Sequence, residues 1–254
     1  MRRLRVADAP ILQSRIPELQ REVAAADLPK MRPVAPGDWL QVDEAYGAQL
    51  AEKARLLGTR AHDVLALMPE AEDAAAELLT VVLAEIAMRP DFRLEGGGIR
   101  RPDGVVIEPD TRQPLRTLSR LVQEDFCILM KEEDEHVLKA ALLCFPASWT
   151  LAQKIRKPLV RIHAPVTEYD GAIAARVQRL FDGAQPGRPM WRANLLGYED
   201  PALFHPKREG EAHRDPAKVA AYERSERQTV LKLPGTGAVV FSIHTTIAPM
   251  VAGG

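Results

Sequence analysis

The chain has 254 residues, of which 46% are hydrophobic, enough to build one large domain or two small ones around a buried core. Lysine and arginine total 34 and aspartate and glutamate total 35, giving a formal net charge of -1. This balance excludes the global field that draws strongly charged proteins onto nucleic acid or anionic lipid. We therefore expect neither nucleic acid nor a membrane as a partner.

The two cysteines, Cys127 and Cys144, each lie inside an apolar run and are expected to be buried, reduced thiols. Without a Cys-x-x-Cys motif they cannot build an iron–sulfur cluster or a zinc knuckle from this chain alone. Asp8 and Pro10 follow the basic N-terminus where a signal peptide needs an apolar segment. No run approaches the roughly 18 apolar residues of a membrane helix, so the sequence predicts a soluble, cytoplasmic protein.

A proline-rich arm is predicted over residues 1–36, because its five prolines forbid a long helix. We expect this arm to lie over the body of the protein. The remaining residues, 37–254, are expected to form a single domain that begins with helices.

Two helices are predicted at the start of this domain. Apolar residues at helical spacing follow Asp43, and Gly58 is a suitable C-terminal stop. The second helix opens at Pro69, has acids in its first turn and ends near Pro90. The glycine triplet 96–98 is interpreted as a loop or hairpin, because no strand-to-helix context with a lysine follows it.

From residue 124 the pattern becomes strand-like, with hairpins joining the first two and the last two candidate strands. Further helices are predicted at 148–157, where Ser148 serves as the cap, at 171–182, and at 215–226. An antiparallel sheet with helices packed against it is an α+β fold. The candidate strands are Glu124–Met130, His136–Phe145, Met190–Leu196, Gln228–Leu233 and Ala238–Ile247.

His163 is the leading candidate for a functional residue. It follows Leu159, Arg161 and Ile162, and Pro165 restricts the backbone beyond it. A neutral imidazole held in this way can ligate a metal or haem iron, act as a general base, or hydrogen-bond inside the core. The sequence contains neither Gly-x-Ser-x-Gly nor His-Glu-x-x-His, so it gives little support to a hydrolase.

A series of motifs between about residues 37 and 250 resembles the haem-dependent oxidative N-demethylase family, specifically its haem-binding alpha subunit. The resemblance implies a PAS-like fold with haem b, oxidation of dimethylamine by oxygen, and electrons supplied from NADPH by a separate reductase that carries flavin and an iron–sulfur cluster. The motifs are, in order, Gly37–Leu40 with Asp43 and Tyr46, Gln123–Asp125, Cys144–Pro146 with Trp149, Lys154, Ile162–Val166, Arg192–Asn194, and Arg224 with Glu226–Gln228, Leu233 and Pro234.

By position, the resemblance implies that His163 is the proximal haem ligand. Absence of a Cys-x-x-Cys-His motif agrees with noncovalent haem. The strand histidine His244 is the second candidate for the ligand. Glu124 or Asp125 either accepts a hydrogen bond from the imidazole of His163 or satisfies backbone donors.

Three arginines, Arg192, Arg224 and Arg227, are candidates to pair with the haem propionates, because a guanidinium group matches a carboxylate in two parallel hydrogen bonds. Salt bridges to acids such as Glu226 or Asp125 are the alternative for each of them.

The leading hypothesis is a haem-dependent oxidative N-demethylase that acts on a small secondary amine and takes electrons from a partner. Differences from the family pattern at 155–157, Thr167 and Leu195 leave the identity of the amine open. A haem-based gas or redox sensor using the same pocket is the alternative. A relative that has lost haem and serves as an interaction protein is a third hypothesis.

Overall fold

The computed structural model describes residues 9–26, 31–163, 171–211 and 219–250. The side chains of residues 163 and 171–176 lie outside this description. None of the helices within these ranges is both long and apolar enough to cross a bilayer.

Most of the described helices precede the long strands of the main sheet along the chain, and the last three lie between two of those strands. A 3₁₀ turn, Pro69–Ala71, precedes α4. The helices are α1 (Glu18–Ala24), α2 (Tyr46–Thr59), α3 (Ala61–Val64), α4 (Glu72–Ala87), α5 (Pro114–Leu121), α6 (Leu151–Lys154), α7 (Leu159–His163) and α8 (Gly171–Asp182).

Within the described ranges the strands form a seven-stranded sheet in the order β1-β8-β9-β10-β6-β7-β2 and a three-stranded sheet in the order β3-β4-β5, both antiparallel. The strands are β1 (Arg32–Pro33), β2 (Leu65–Leu67), β3 (Arg93–Glu95), β4 (Gly98–Arg100), β5 (Val106–Ile107), β6 (Asp125–Glu132), β7 (Glu135–Leu142), β8 (Met190–Tyr198), β9 (Tyr222–Lys232) and β10 (Val239–Pro249).

Both faces of the large sheet carry apolar side chains. Successive side chains of a strand point to opposite sides of the sheet, so each strand contributes to two separate layers. On one face, which we call the back face, Phe126 and Ile128 pack with residues of α2, α4 and α5 such as Leu56. On the other, the cleft face, Cys127 and Leu129 belong to a second cluster with α7 and α8. Parity along each strand therefore decides which layer a side chain joins.

Most of the predicted elements are confirmed. The five candidate strands correspond to β6 to β10, the helices predicted after Asp43 and from Pro69 correspond to α2 and α4, and the helix at 171–182 corresponds to α8. The glycine triplet lies in the β3–β4 hairpin. The α+β class with an antiparallel sheet and flanking helices is therefore confirmed.

Two predicted helices are wrong. The segment 148–157 forms only the short α6, because Ser148 and Arg156 have φ angles of 63° and 62°, which no α-helix accommodates. The N-cap of α6 is Thr150, and it makes no side-chain capping bond.

In the segment 215–226, residues from Tyr222 onward belong to β9, whose pairing on both sides with β8 and β10 overrides local helix propensity. Residues 212–218 lie outside the described chain.

The described part of the proline-rich arm lies against the sheet. The amide N–H of Gln13 donates to the carbonyl of Ile247 on β10 at 2.8 Å, and the side-chain oxygen of Gln13 accepts from the Ile247 amide at 2.9 Å. Farther along, Arg21 on α1 forms an ion pair with Glu223 on β9. The division into an arm and a domain at residue 36 stays a prediction.

Candidate cofactor site

A cleft of about 1000 Å³ separates the cleft face of the sheet from α6, α7 and α8. The sheet wall presents side chains from five strands, β6 to β10, and the helical wall presents apolar side chains of α7 and α8. Apolar lining residues are Cys127 and Leu129 of β6, Leu138 of β7, Val230 of β9, Phe241 and Ile243 of β10, Leu159 and Ile162 of α7, and Val177, Leu180 and Phe181 of α8.

The sheet wall also carries a short chain of polar side chains, which we call the polar row. Arg192 of β8 lies opposite Gln228 of β9, and its Nε donates to the side-chain oxygen of Gln228 at 2.8 Å. The amide nitrogen of Gln228 donates to Oε2 of Glu226 at 2.9 Å, and Asn194 donates to the same oxygen at 3.1 Å. The polar row therefore holds a cation and a carboxylate in fixed positions within an apolar surface.

Charge in the polar row is partly shielded from water. Burial lowers the pKa of Arg192, and the negative charge of Glu226 opposes this shift. An arginine remains protonated in proteins. Glu226 is 7% exposed, and a guanidinium nitrogen of Arg224 lies 3.7 Å from its Oε1. Arg192 and Glu226 thus offer a cationic and an anionic contact to any occupant of the cleft.

Residues 207–211, which are half-buried or exposed, form the mouth of the cleft, and the buried Lys154 lines the cleft beside Glu209. Lys207 and Arg208 bring positive charge to this rim, and Glu209 and Glu211 bring negative charge. A ligand with an apolar body and acidic substituents can therefore find cations both on the sheet wall and at the mouth.

His163 is the last residue of α7, and its imidazole lies outside the described side chains. Of the residues that precede it on this helix, Leu159 and Ile162 line the cleft. His163, the predicted ligand, therefore directly follows a residue of α7 that forms part of the helical wall.

Of the three predicted arginines, Arg192 is among the described lining residues of the cleft, and Arg224 and Arg227 are not. Arg224 is 2% exposed and donates to the carbonyl oxygens of Phe145 at 2.6 Å and Leu203 at 3.1 Å. It lies over the ring of Tyr198, 5.7 Å from the ring centroid. These contacts fasten the loop after β8 to the segment that follows β7.

Arg227 has the opposite parity on β9 and lies on the back face. Its guanidinium group donates to the backbone and side-chain oxygens of Asp38, both at 2.8 Å, and lies 4.1 Å from the ring centroid of Trp191. The roles of Arg224 and Arg227 towards a cofactor stay predictions, and the contacts described here are structural.

The second histidine candidate, His244, also lies on the back face. Its Nε2 is 3.3 Å from a carboxylate oxygen of Asp43, and the residue is 3% exposed. Burial alone would raise the pKa of Asp43, but hydrogen bonds and the charge of His244, with further bonds from Gln123 and Gln13, lower it to about 2.

Neighbouring acids use their oxygens for structural contacts. Glu124 accepts from the amide of Gln41 at 2.7 Å, and burial raises its pKa. Asp125 pairs with the buried Lys53 at 3.0 Å and accepts from the amide of Phe145 at 2.6 Å. Both acids thus satisfy backbone donors, which is one of the two roles expected for them.

Sequence reasoning treated Glu226 only as a salt-bridge partner and did not single out Gln228 as a cleft residue. The local sequence gives little signal for them, because every residue from Glu223 to Thr229 is polar or charged. Only the two-residue period of the strand, counted back from the cleft-facing Val230, places 226 and 228 on the cleft face.

A family model described as haem-dependent oxidative N-demethylase, alpha subunit-like, matches residues 30–252. The matched range contains every strand of both sheets and all of the described cleft lining. The match confirms the family resemblance carried by the sequence motifs.

Proposed function

This chain belongs to the haem-dependent oxidative N-demethylase alpha-subunit-like family, and we propose that it binds haem b in the cleft and demethylates a small secondary amine such as dimethylamine. Family membership supports a haem cofactor and oxidoreductase chemistry. In this proposal residues 37–254 form a PAS-like haem-binding domain, residues 1–36 form an arm over it, and the protein works in the cytoplasm.

The cleft fits the cofactor by size and by chemistry. Its volume of about 1000 Å³ lies at the upper end of the range of roughly 300–1000 Å³ typical of ligand pockets. A porphyrin is a flat apolar ring with two carboxylates, so it needs two apolar walls and nearby cations. The sheet and helical walls supply the first, and Arg192, Lys207 and Arg208 supply the second.

The observation that carries the proposal is the buried carboxylate of Glu226 on the sheet wall, across the cleft from the helix that ends at His163. A secondary amine is protonated at neutral pH and needs an anionic acceptor when it leaves water. Oε2 of Glu226 is fixed by Asn194 and Gln228, whereas the contact described for its Oε1 within residues 9–26, 31–163, 171–211 and 219–250 is the more distant guanidinium of Arg224. Glu226 is thus positioned to orient an ammonium group.

In the mechanism, haem supplies the activation of oxygen and the one-electron steps when it is bound. His163 holds the iron, and Arg192 provides a hydrogen-bond donor on the sheet wall. Glu226 binds the substrate nitrogen and keeps a proton close to it. The apolar lining excludes water from the reacting groups. Electrons come from a partner, because the sequence has no dinucleotide fingerprint and no cluster cysteines. The family resemblance implies that this partner is an NADPH-dependent reductase that carries flavin and an iron–sulfur cluster.

Reconstitution with hemin tests the cofactor assignment. We expect a Soret band for the wild-type protein, and loss or a strong shift of that band in His163→Ala. The matched control is His62→Ala, since the His62 side chain is 83% exposed and its removal should leave the spectrum unchanged. A wild-type protein with no specific band would refute the haem assignment.

The role of Glu226 is tested by adding dimethylamine to the reconstituted protein. Glu226→Gln keeps an acceptor oxygen but loses the charge, so the amine concentration needed for half-maximal spectral change should rise roughly 10- to 100-fold. Glu108→Gln, at an exposed position outside the cleft lining, should leave this concentration unchanged. Formaldehyde release with a chemical or enzymatic reductant then reports turnover.

The same titration separates the enzyme from the gas sensor. A haem spectrum that responds to secondary amines, together with formaldehyde release, supports the demethylase. A spectrum that is indifferent to amines but changes on tight binding of carbon monoxide or nitric oxide would replace it with the sensor.

A further inference from the structure

The C-terminal end of α7 is held by a buried lysine on the neighbouring helix. Nζ of Lys154, on α6, donates to the carbonyl oxygen of Ile162 at 2.6 Å and pairs with Oε1 of Glu209 at 2.7 Å. The Lys154 side chain is 6% exposed, whereas its carboxylate partner is 23% exposed. The ammonium group thus connects α6, α7 and the loop at the mouth of the cleft.

The carbonyl that Lys154 contacts belongs to the last turn of α7 as the structure describes it. The last four carbonyls of an α-helix have no intrahelical donor, and lysine side chains are among the groups that satisfy them. Ile162 precedes the terminal His163 of α7, and Pro165, shortly beyond, has no N–H to donate. Lys154 therefore fixes the peptide group that joins Ile162 to His163.

Glu209 fixes the lysine in turn. Its second oxygen, Oε2, accepts from Arg161 on α7 at 3.0 Å, and its backbone amide donates to the side chain of Gln153 on α6 at 3.0 Å. Lys154 and Arg161 lower the pKa of Glu209, so the carboxylate is ionised at neutral pH. The loop carrying Glu209 is tied to both short helices of the cleft wall.

The other end of α7 is held by the sheet. The amide of Leu138 on β7 donates to the carbonyl of Lys157 at 3.1 Å, and Pro158 forms a bridge with Val137. With only five residues, α7 is too short to be stable alone. Its orientation depends on these contacts at both ends.

We infer that Lys154, supported by Glu209, is a positioning residue that sets the orientation of the His163 segment towards the cofactor. This inference rests on the proposed function for its ligand, and on the described contacts of Lys154 for its physical basis. Groups that orient a metal ligand commonly change metal affinity by about 10- to 100-fold when they are removed.

The first test compares hemin binding and the ferric absorption and electron paramagnetic resonance spectra of four proteins. Lys154→Met should bind hemin about tenfold more weakly and give a mixture of ligation states. Lys154→Arg keeps a donor and a charge and should recover most of the wild-type spectrum. Lys131→Met is the matched control, because it makes the same substitution at a half-exposed lysine whose ion pair, with Asp182, lies outside the Lys154 network, and its spectrum should equal that of wild type.

Hydrogen exchange of the hemin-free proteins tests the clamp independently of the cofactor. Peptides covering residues 159–163 should exchange faster in Lys154→Met than in wild type or Lys131→Met. Equal exchange, hemin affinity and spectra in Lys154→Met and wild type would overturn the inference while leaving the haem assignment intact. A wild-type protein whose spectrum does not depend on His163 would overturn the proposed function and, with it, the role of Lys154 towards the iron.

Discussion

Residues of the same chemical type have different surroundings, which depend on the face of the sheet to which the side chain points and on its position along the strand. Arg224 and Arg227 lie three residues apart on β9, and their side chains point to opposite faces of the sheet. Arg192 shares the cleft face with Arg224, but its register partner is Gln228, farther along the strand. Parity can be read from the sequence. Position relative to the cleft cannot, because it depends on how β8 and β9 are paired.

The buried carboxyl of Glu124 should make a destabilising contribution once it ionises. Burial raises its pKa above the ordinary 4.5, so its contribution to stability is complete below about 4.5 and is lost as the pH rises through the folded-state pKa. Glu124→Gln removes the ionisation and keeps an acceptor for the Gln41 amide. We expect this variant to be at least as stable as wild type at pH 7, with the difference shrinking towards pH 4, in urea unfolding.

Glu124→Ala is the matched variant that removes the acceptor as well as the charge. Since the partly buried amide of Gln41 would lose its partner, we expect a loss of about 1 kcal/mol in the free energy of unfolding. A Glu124→Gln variant that is as unstable at pH 7 as Glu124→Ala would contradict this account of Glu124.

Secondary structure was predictable where the hydrophobic period of a segment and the residues at its two ends indicate the same element. The strands β6, β7 and β10 are rich in apolar residues and bounded by charged or glycine-containing turns, and α4 has a proline start and acids in its first turn. The N-terminal half of β9 was missed, because Tyr222–Gln228 is polar and charged. Pairing along its full length with β10 makes it a strand.

The candidate site was predictable only in part. Of the motif residues singled out between Gln123 and Val166, Trp149, Lys154 and Ile162 do line the cleft. The polar row on β8 and β9 could not be joined to this segment from sequence. The sheet order β8-β9-β10-β6 brings these distant strands to one wall, and sheet order depends on long-range packing.

Considered as a whole, the molecule has polar groups buried on both faces of one sheet. On the cleft face the polar row borders a large cavity, whereas on the back face the acids and His244 are covered by the arm and by α2. The first arrangement leaves room for a ligand. The second is suited to holding distant segments together, since charged hydrogen bonds in a buried setting are costly to break.

Asp43 is the residue through which the back face connects the segments of the chain. Its two carboxylate oxygens accept from Gln13 in the arm at 2.8 Å, from Gln123 before β6 at 2.9 Å, and from the amide of Ala45 before α2 at 2.9 Å. One oxygen also lies 3.3 Å from His244 on β10. Protonation of this one group should therefore weaken contacts among four parts of the fold.

The pH dependence of unfolding should report this connection. The pKa of Asp43 is lowered from 3.8 to about 2, so its contribution is present above about pH 4 and is lost as the pH falls towards 2. We expect Asp43→Asn to lose about 2 kcal/mol of unfolding free energy at pH 7, with a smaller difference from wild type at pH 3. Urea unfolding at both pH values measures this, with Asp63→Asn, a more exposed acid, as the control. A difference that stays constant from pH 7 to pH 3 would mean that Asp43 acts through shape and neutral hydrogen bonds, and that its charge does not link the arm to the sheet.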